Sequence, residues 1–167
     1  MENNNSKKTE ETSNNKETEH NHTAVEEKKQ NTTSNSLSVD EFVYAGYYNN
    51  IDLVKEYIEK GLDIDCKDQS DGGTALHFAA DQGHEVIVKY LIQHKANVNI
   101  PNSNNGTTAI IQASIRGHDS IVNILIEHKA NVNHANNTGH TALIVASRKG
   151  HDSIVNILIE HKADVNH

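Results

Sequence analysis

The sequence predicts an all-α repeat solenoid: about four helix-turn-helix units joined by β-hairpin-type loops and preceded by a disordered tail. The segment HDSIVNILIEHKANVNH at 118–134 recurs at 151–167 with one change, Asn131 to Asp164. The dipeptide Gly-His recurs in the same register, with spacings of 34 and then 33 residues, at 83–84, 117–118 and 150–151. A period of about 33 residues indicates an array in which each unit stacks on its neighbours.

Residues 1–36 are predicted to form the disordered tail, which is polar, acidic and rich in asparagine. They hold seven Glu and five Lys, and their only apolar side chains are Met1, Ala24 and Val25. So few apolar side chains cannot bury enough surface to offset the entropy lost on ordering. The folded domain is therefore expected at 37–167, in units of about 37–70, 71–104, 105–137 and 138–167.

The first unit, 37–70, is the least regular of the four. Ser38-Val39-Asp40-Glu41 has the form of a capping box and predicts the start of its first helix. A second helix is predicted from an apolar stripe at Leu53, Val54, Tyr57 and Ile58. Because the threonine turn of the later units is missing here, we interpret this unit as an N-terminal capping repeat.

The second unit, 71–104, shows the pattern most clearly. Gly72-Gly73 indicates a turn, and Thr74 is a suitable N-cap for the helix that follows it. Gly83 is expected to end that helix. A second amphipathic helix is predicted from the apolar stripe at Ile87, Val88, Leu91 and Ile92, after which Val98 is expected to point inward.

The third and fourth units repeat this design. Asn105-Gly106 predicts a hairpin turn at the start of the third unit. Thr-Ala-Ile at 108–110 and Thr-Ala-Leu at 141–143 correspond to the threonine turn and helix start of the second unit. The fourth unit nearly copies the third, so its outer side is expected to carry the Ile and Leu residues of an internal unit, with no capping sequence. Three interpretations of this end stay open: a frayed end, a partner or second copy that stacks there, or a chain cut from a longer array.

Three registered motifs resemble those of the ankyrin repeat family. They are Gly-Thr-Ala-Leu-His-Phe-Ala-Ala at 73–80, Gly-His at 83–84 and Ala-Asn-Val-Asn at 96–99, and the later units repeat them. The resemblance covers about 37–167. It implies a solenoid of stacked helix pairs that recognises partner proteins and performs no catalysis.

The sequence departs from the family pattern at three positions of the unit, the first being alanine in place of the family's proline after each threonine. Lysine replaces the glycine that survives as Gly61, at Lys95, Lys129 and Lys162. If the backbone stays left-handed there, each lysine is destabilising by roughly 1 kcal/mol relative to glycine. Ile111 and Ile144 replace His77, so the family's Thr-His hydrogen bonding is not expected in the last two units.

Composition argues against several classes of function. The net charge of −8 divides into about −2 for the tail and −6 for the remainder, so the basic footprint of a nucleic-acid-binding protein is absent. Apolar runs such as 124–126 are too short to insert into a membrane, and Met1 is followed by polar residues. With one cysteine, Cys66, no internal disulfide can form. We expect a cytoplasmic protein, with a nuclear location also open.

The histidines and the cysteine do not form a catalytic or metal-binding pattern. His94, His128 and His161 occupy one position in successive units, and stacked helices lie about 8 to 10 Å apart, too far for these residues to share an ion. The sequence contains no GxSxG, GxxxxGK[ST] or HExxH motif. We therefore predict no enzymatic activity, no metal and no cofactor.

The resemblance implies a concave partner-binding face made of the hairpin tips and the exposed side of each first helix. Residues three and four apart share a helix face. This rule selects Tyr44, Tyr47, Tyr48, Phe78, Asp81, Gln82, Ile115, Arg116, Arg148 and Lys149. The hairpin-tip candidates are Gln69, Asp71, Ser103, Asn105, Thr107, Asn137 and His140. Because aromatic residues and arginine dominate interface energetics, we expect a face that grades from an aromatic, acidic end to a basic end.

Several interpretations of these residues stay open. Tyr44 and Phe78 can equally pack between helices, and Tyr47 and Tyr48 can cover the open end of the stack. The predicted function is a non-catalytic adaptor that binds a partner protein of unknown identity. The alternatives are an assembly factor that stacks or self-associates through its uncapped last unit, and a regulatory subunit or effector that inhibits an enzyme.

Overall fold

A computed structural model describes residues 38–166, and the predicted disordered tail lies outside these described residues. Within this range the chain forms eight α-helices in four successive pairs. They are α1 (Val39–Tyr47), α2 (Ile51–Glu59), α3 (Ala75–Gln82), α4 (Glu85–Gln93), α5 (Ala109–Arg116), α6 (Asp119–Glu127), α7 (Ala142–Lys149) and α8 (Asp152–Glu160). The prediction of an all-α array of helix-turn-helix units is confirmed.

The odd-numbered helix of each pair begins and ends at the residues that the sequence indicates. Ser38 caps α1 by accepting a hydrogen bond from the Glu41 amide at 3.3 Å, and a threonine stands at the N-cap of each later one, Thr74, Thr108 and Thr141. Glycines with φ of 80°, 82° and 75° end α3, α5 and α7 at Gly83, Gly117 and Gly150. A left-handed residue at this position suits glycine, which has no Cβ to clash.

The loops between pairs fold back as hairpin-type turns, and no strand occurs between residues 38 and 166. One backbone hydrogen bond closes each loop, from Asp68 N to Gly73 O at 2.9 Å, from Asn102 N to Thr107 O at 2.8 Å and from Asn136 N to His140 O at 3.0 Å. Successive loops also contact each other, because Ser103 N donates to Gly72 O at 3.0 Å. The hairpins are therefore tight turns laid side by side.

The four odd-numbered helices form an inner row, and the four even-numbered helices form an outer row that packs less closely. Small residues allow the close approach of the inner row. A Cβ added to Gly46 in α1 would lie 2.6 Å from the carbonyl oxygen of Ala75 in α3. Because the inner helices approach more closely than the outer ones, the array curves toward the inner row, which lines its concave side.

One continuous apolar core runs between the two rows. The predicted stripe of α4 is buried, and Val98 points inward with 6% of its surface exposed. The lysines at 95, 129 and 162 have φ of 75°, 71° and 65°. The expected left-handed backbone at these lysines is confirmed, and each is expected to be destabilising by roughly 1 kcal/mol relative to glycine.

The histidine of each Gly-His turn ties one pair to the pair before it. His84 Nε2 donates to the Tyr47 carbonyl at 2.9 Å, His118 Nε2 to Asp81 O at 3.0 Å and His151 Nε2 to Ile115 O at 3.2 Å. Each carbonyl lies in the last turn of an inner helix, where no intrahelical donor is available. These histidines therefore join consecutive pairs at a fixed register.

Candidate functional site

Four aromatic rings of α1 and α3 lie together on the concave side; we call Tyr44, Tyr47, Tyr48 and Phe78 the aromatic cluster. Each ring is adjacent to two others, with centroid distances of 6.5 Å for Tyr44–Tyr48, 5.0 Å for Tyr47–Tyr48, 6.2 Å for Tyr47–Phe78 and 5.6 Å for Tyr44–Phe78. Tilted and edge-to-face pairs at these distances are favourable. The rings thus form a closed circuit, and three of them remain partly exposed while Tyr48 is 49% exposed.

The cluster is fixed by hydrogen bonds as well as by ring contacts. The Tyr44 hydroxyl and Ser70 Oγ lie 3.0 Å apart, which links α1 to the next turn. The Tyr47 carbonyl accepts from His84. Tyr44 and Phe78 therefore pack against each other and also keep exposed surface. A rigid aromatic patch loses little side-chain entropy when a partner covers it.

Asp81 and Arg116 form an ion pair beside the aromatic cluster. Arg116 donates to Asp81 through Nε at 2.8 Å and through Nη2 at 3.4 Å, and Gln82 Nε2 donates to Asp81 at 2.6 Å. The hydrogen bond with Asp81 raises the pKa of Arg116. The aspartate is 12% exposed and the arginine 56%. The carboxylate is thus largely covered, and the guanidinium presents the charge that a partner would meet.

The basic residues of α7 lie at the other end of the inner row. Arg148 and Lys149 are exposed, and Ile115 is half-buried. Arg148 Nη1 donates to His140 Nε2 at 2.9 Å, so the turn before α7 holds the arginine in place. The inner row therefore runs from aromatic rings through an ion pair to two positive charges.

Most of the predicted hairpin tips are accessible. Gln69, Ser103, Asn105 and Asn137 are exposed, and Asp71 and His140 are half-buried. Thr107 was predicted as a tip, and this assignment is wrong, because only 2% of its surface is exposed. Thr107 directly precedes the N-cap Thr108, where the chain turns inward, and its carbonyl accepts from His77 Nε2 at 3.0 Å.

Three residues that shape the tips are absent from the predicted set. Asp68, Asn102 and Asn136 stand at the same position in successive turns, and the side-chain oxygen of each accepts backbone N–H groups of its own turn. Asp68 accepts from Ser70, Asp71 and Gly73; burial opposes its charged form, but these hydrogen bonds outweigh burial and lower its pKa. Their 34-residue recurrence, Asp or Asn each time, is the signal that identifies them.

His77 in α3 forms a buried network that the other inner helices between residues 38 and 166 lack. Its Nδ1 accepts from Thr74 N at 3.1 Å and lies 2.9 Å from Thr74 Oγ1, while Nε2 donates to Thr107 O. Burial lowers the pKa of His77 to about 4, so the ring is neutral at pH 7. In α5 the corresponding residue is Ile111, and the hydroxyl of Thr108 is the one buried side-chain polar atom of residues 38–166 without a partner.

Comparison with known families accounts for this repeated pattern. The family model described as ankyrin repeats matches residues 42–136 and 95–167, in three copies. The chain belongs to the ankyrin repeat family. Ankyrin repeats are protein–protein interaction modules and are typically non-catalytic. A search of curated proteins finds no match to the chain.

The last ankyrin helix pair presents an apolar surface, which we call the end face. It surrounds a groove of about 390 Å³ lined by Leu143, Ile144, Ser147, Arg148, Val155, Ile159, Asp164 and Val165. Ile159 is 46% exposed and Val165 65% exposed. One ankyrin unit earlier, Ile111 and Ser114 correspond to Ile144 and Ser147 and are both 0% exposed. The centre of the end face therefore consists of side chains whose equivalents are covered one unit earlier, whereas the equivalents of Ile159 and Val165 are half-buried there.

The described part of the ankyrin array carries few of the features of a metal-binding or catalytic protein. Residues 38–166 contain no group of three His, Cys, Asp or Glu side chains arranged to hold a metal ion. Burial, assisted by Asp63, raises the pKa of the Cys66 thiol to about 11, so the reactive thiolate is disfavoured at neutral pH. Each helix in this range is too short or too polar to span a bilayer.

Proposed function

We propose that residues 37–167 act as a non-catalytic adaptor that binds a partner protein through the concave face. The observation that carries this proposal is the aromatic cluster, four mutually packed rings that keep exposed surface on the inner row. Tyrosine-rich patches with a rigid backbone beneath them are typical centres of protein interfaces. Arg116, Arg148 and Lys149 extend this surface along the array, and the hairpin tips border it.

Tyr48 is the sharpest residue with which to test the proposal. It is the most exposed ring of the cluster, so Tyr48→Ala removes contact surface with little effect on the core. Loss of a central aromatic contact weakens an interface by roughly 2 kcal/mol, or about 30-fold in Kd. Tyr90→Ala on α4 is the matched control, because Tyr90 is a half-buried tyrosine of the outer row.

The experiment is an affinity capture from the native cell extract with wild type, Tyr48→Ala and Tyr90→Ala side by side. A protein retained by wild type and Tyr90→Ala but lost with Tyr48→Ala supports the concave face. The second arm is Arg116→Ala with Arg148→Ala, which tests the basic part. If Tyr48→Ala and the Arg116→Ala, Arg148→Ala variant both still capture every protein that wild type captures, the concave-face proposal is wrong.

The regulatory alternative differs from the adaptor only in the identity of the partner. If the captured partner is an enzyme, its activity is measured with increasing amounts of the chain, with Tyr48→Ala as the control. Inhibition that Tyr48→Ala relieves identifies a regulatory subunit. We further propose a cytoplasmic or nuclear location, which is consistent with the single cysteine and the negative net charge and which fractionation can test.

A further inference from the structure

The end face repeats a surface that the structure shows in its occupied form one unit earlier. Side chains of the third unit, among them Ile111, Ser114 and Val122, are fully buried under the fourth unit. Ile144, Ser147 and Val155 take their positions 33 residues later and line the groove. Covering such a surface with apolar side chains is favourable, by about 25 cal/mol per Å² of apolar surface removed from water.

The outer side of the first unit would face this groove if copies stacked head to tail, and it is not suited to occupy the groove. Ala75 and Tyr90 mark the side of the second unit that contacts the first, since Ala75 closely approaches Gly46, and Lys55 lies 5.9 Å from the Tyr90 ring. The equivalents of Ala75 and Tyr90 in the first unit, 34 residues earlier, are the exposed Glu41 and Glu56. Head-to-tail stacking would bury these carboxylates against apolar side chains, which is strongly unfavourable.

The charges on the end face complement each other under two-fold symmetry. Arg148 and Asp164 both line the groove, and neither belongs to one of the three ion pairs within residues 38–166. Within the chain, Arg148 donates to His140 and Asp164 accepts from the Asn166 amide, so both side chains are held in place while their charges stay unneutralised. Asp164 is also the single position at which 151–167 differs from 118–134, where Asn131 stands. In a two-fold contact each copy meets the same patch of its partner, so one arginine and one carboxylate per copy form two reciprocal pairs.

We propose that two copies of this chain associate through their end faces, with Arg148 of each copy opposite Asp164 of the other. Ile159 and Val165 of one copy then cover the groove of the second. This association does not depend on a concave-face partner. The contact is about one helix pair wide, and helices of nine residues are about 13 Å long. It therefore lies below the standard interface size, and the association is expected to be weak.

The apolar part of the proposal is tested by sedimentation equilibrium of the full chain from about 5 μM to 500 μM. Wild type is expected to change from monomer to dimer and to go no further. Val165→Asp places a charge in the contact and is expected to weaken the dimer at least 10-fold. Val86→Asp is the matched control, because Val86 is a 67% exposed valine on α4, and this variant should dimerise as wild type does.

The two-fold geometry is tested by charge reversal. Arg148→Asp alone and Asp164→Arg alone each set like charges opposite one another, so each variant is expected to stay monomeric at concentrations where wild type dimerises. An equimolar mixture of the two variants restores both pairs and is expected to form a heterodimer. This rescue is specific to a contact between two end faces, since head-to-tail stacking never brings the two positions together.

Three results would overturn the proposal. The first is a wild-type chain that stays monomeric up to 500 μM, which would mean that another protein or no protein covers the end face. The second is an assembly that keeps growing beyond the dimer, which indicates head-to-tail stacking. The third is a dimer that Val165→Asp leaves intact or a mixture of reversed variants that stays monomeric. Circular dichroism of each variant checks that the helices remain formed.

Discussion

The buried imidazole of His77 makes a specific prediction about stability and pH. The ring accepts from Thr74 through Nδ1 and donates to Thr107 through Nε2, a pattern that requires the neutral form. Burial lowers the pKa of His77 from its ordinary value of 6.5 to about 4 in the folded chain. As the pH falls below 6.5, His77 binds a proton in the unfolded chain but stays neutral in the folded chain, so the free energy of unfolding decreases with falling pH.

The size of the effect follows from the two pKa values. Each pH unit between 6.5 and about 4 lowers the free energy of unfolding by about 1.36 kcal/mol. The contribution of neutral His77 to the free energy of unfolding is fully present above pH 6.5, and about 2 kcal/mol of it is lost at pH 5. Near pH 4 the loss approaches about 3 kcal/mol, which is a large part of the stability of a small domain.

The perturbation is His77→Ile, which installs the residue that the later units already use at 111 and 144. At pH 7 the variant is expected to be less stable than wild type by about 2 kcal/mol, because Thr74 N and Thr107 O lose their partners. At pH 5 it no longer has a buried base to protonate, so its deficit relative to wild type should nearly vanish.

Urea unfolding at pH 7 and pH 5, followed by circular dichroism, measures both free energies. The other titrating groups shift wild type and variant together, so the informative quantity is the change in their difference. Ile111→Val is the control: it trims the equivalent core position by one methyl group and should lower stability by roughly 1 kcal/mol at both pH values. If His77→Ile has the same deficit at pH 5 as at pH 7, the assignment of a buried neutral His77 is wrong.

Three further predictions rest on single positions of the array, and urea unfolding checks each of them. Thr74→Val should destabilise the fold by about 1 kcal/mol, whereas Thr108→Val should be neutral or stabilising because it removes a buried hydroxyl without a partner; the reverse order would contradict the structure. Lys129→Gly should stabilise by roughly 0.5 to 1 kcal/mol, because glycine accepts φ of 71° without strain. Gly46→Ala should destabilise by about 1 to 3 kcal/mol, since the new Cβ meets a backbone oxygen and neither helix can yield without moving the other.

Much of the fold could be predicted because every local signal occurs more than once. The threonine caps, the helix-ending glycines and the left-handed lysines are each read from one unit and checked against the next. Lys95 shows how this works: lysine alone gives no hint of a positive φ, but its alignment with Gly61 does. Repetition thus supplies, within one chain, the comparison that a single copy lacks.

Contacts between units were less accessible to sequence reasoning. The circuit of rings joins α1 to α3, and its geometry depends on how two units stack rather than on spacing within either. The prediction for Thr107 fails for a similar reason: a position next to a turn suggests exposure, but Thr107 is buried where its unit meets His77 of the preceding unit. Asp68 was overlooked because one acidic residue in a turn resembles a solvated one until Asn102 and Asn136 are aligned with it.

The two proposed surfaces can act independently because units in such an array contact only their neighbours. The aromatic cluster belongs to the first two units, while the end face belongs to the fourth, with the third between them. Tyr48→Ala should therefore leave dimerisation unchanged, and Val165→Asp should leave partner capture unchanged. Arg148 is the exception, since it lies on the inner row and also lines the end groove. A partner that draws this arginine toward the concave face would remove one half of each reciprocal pair and so weaken the dimer, which makes Arg148 the residue through which the two interactions would compete.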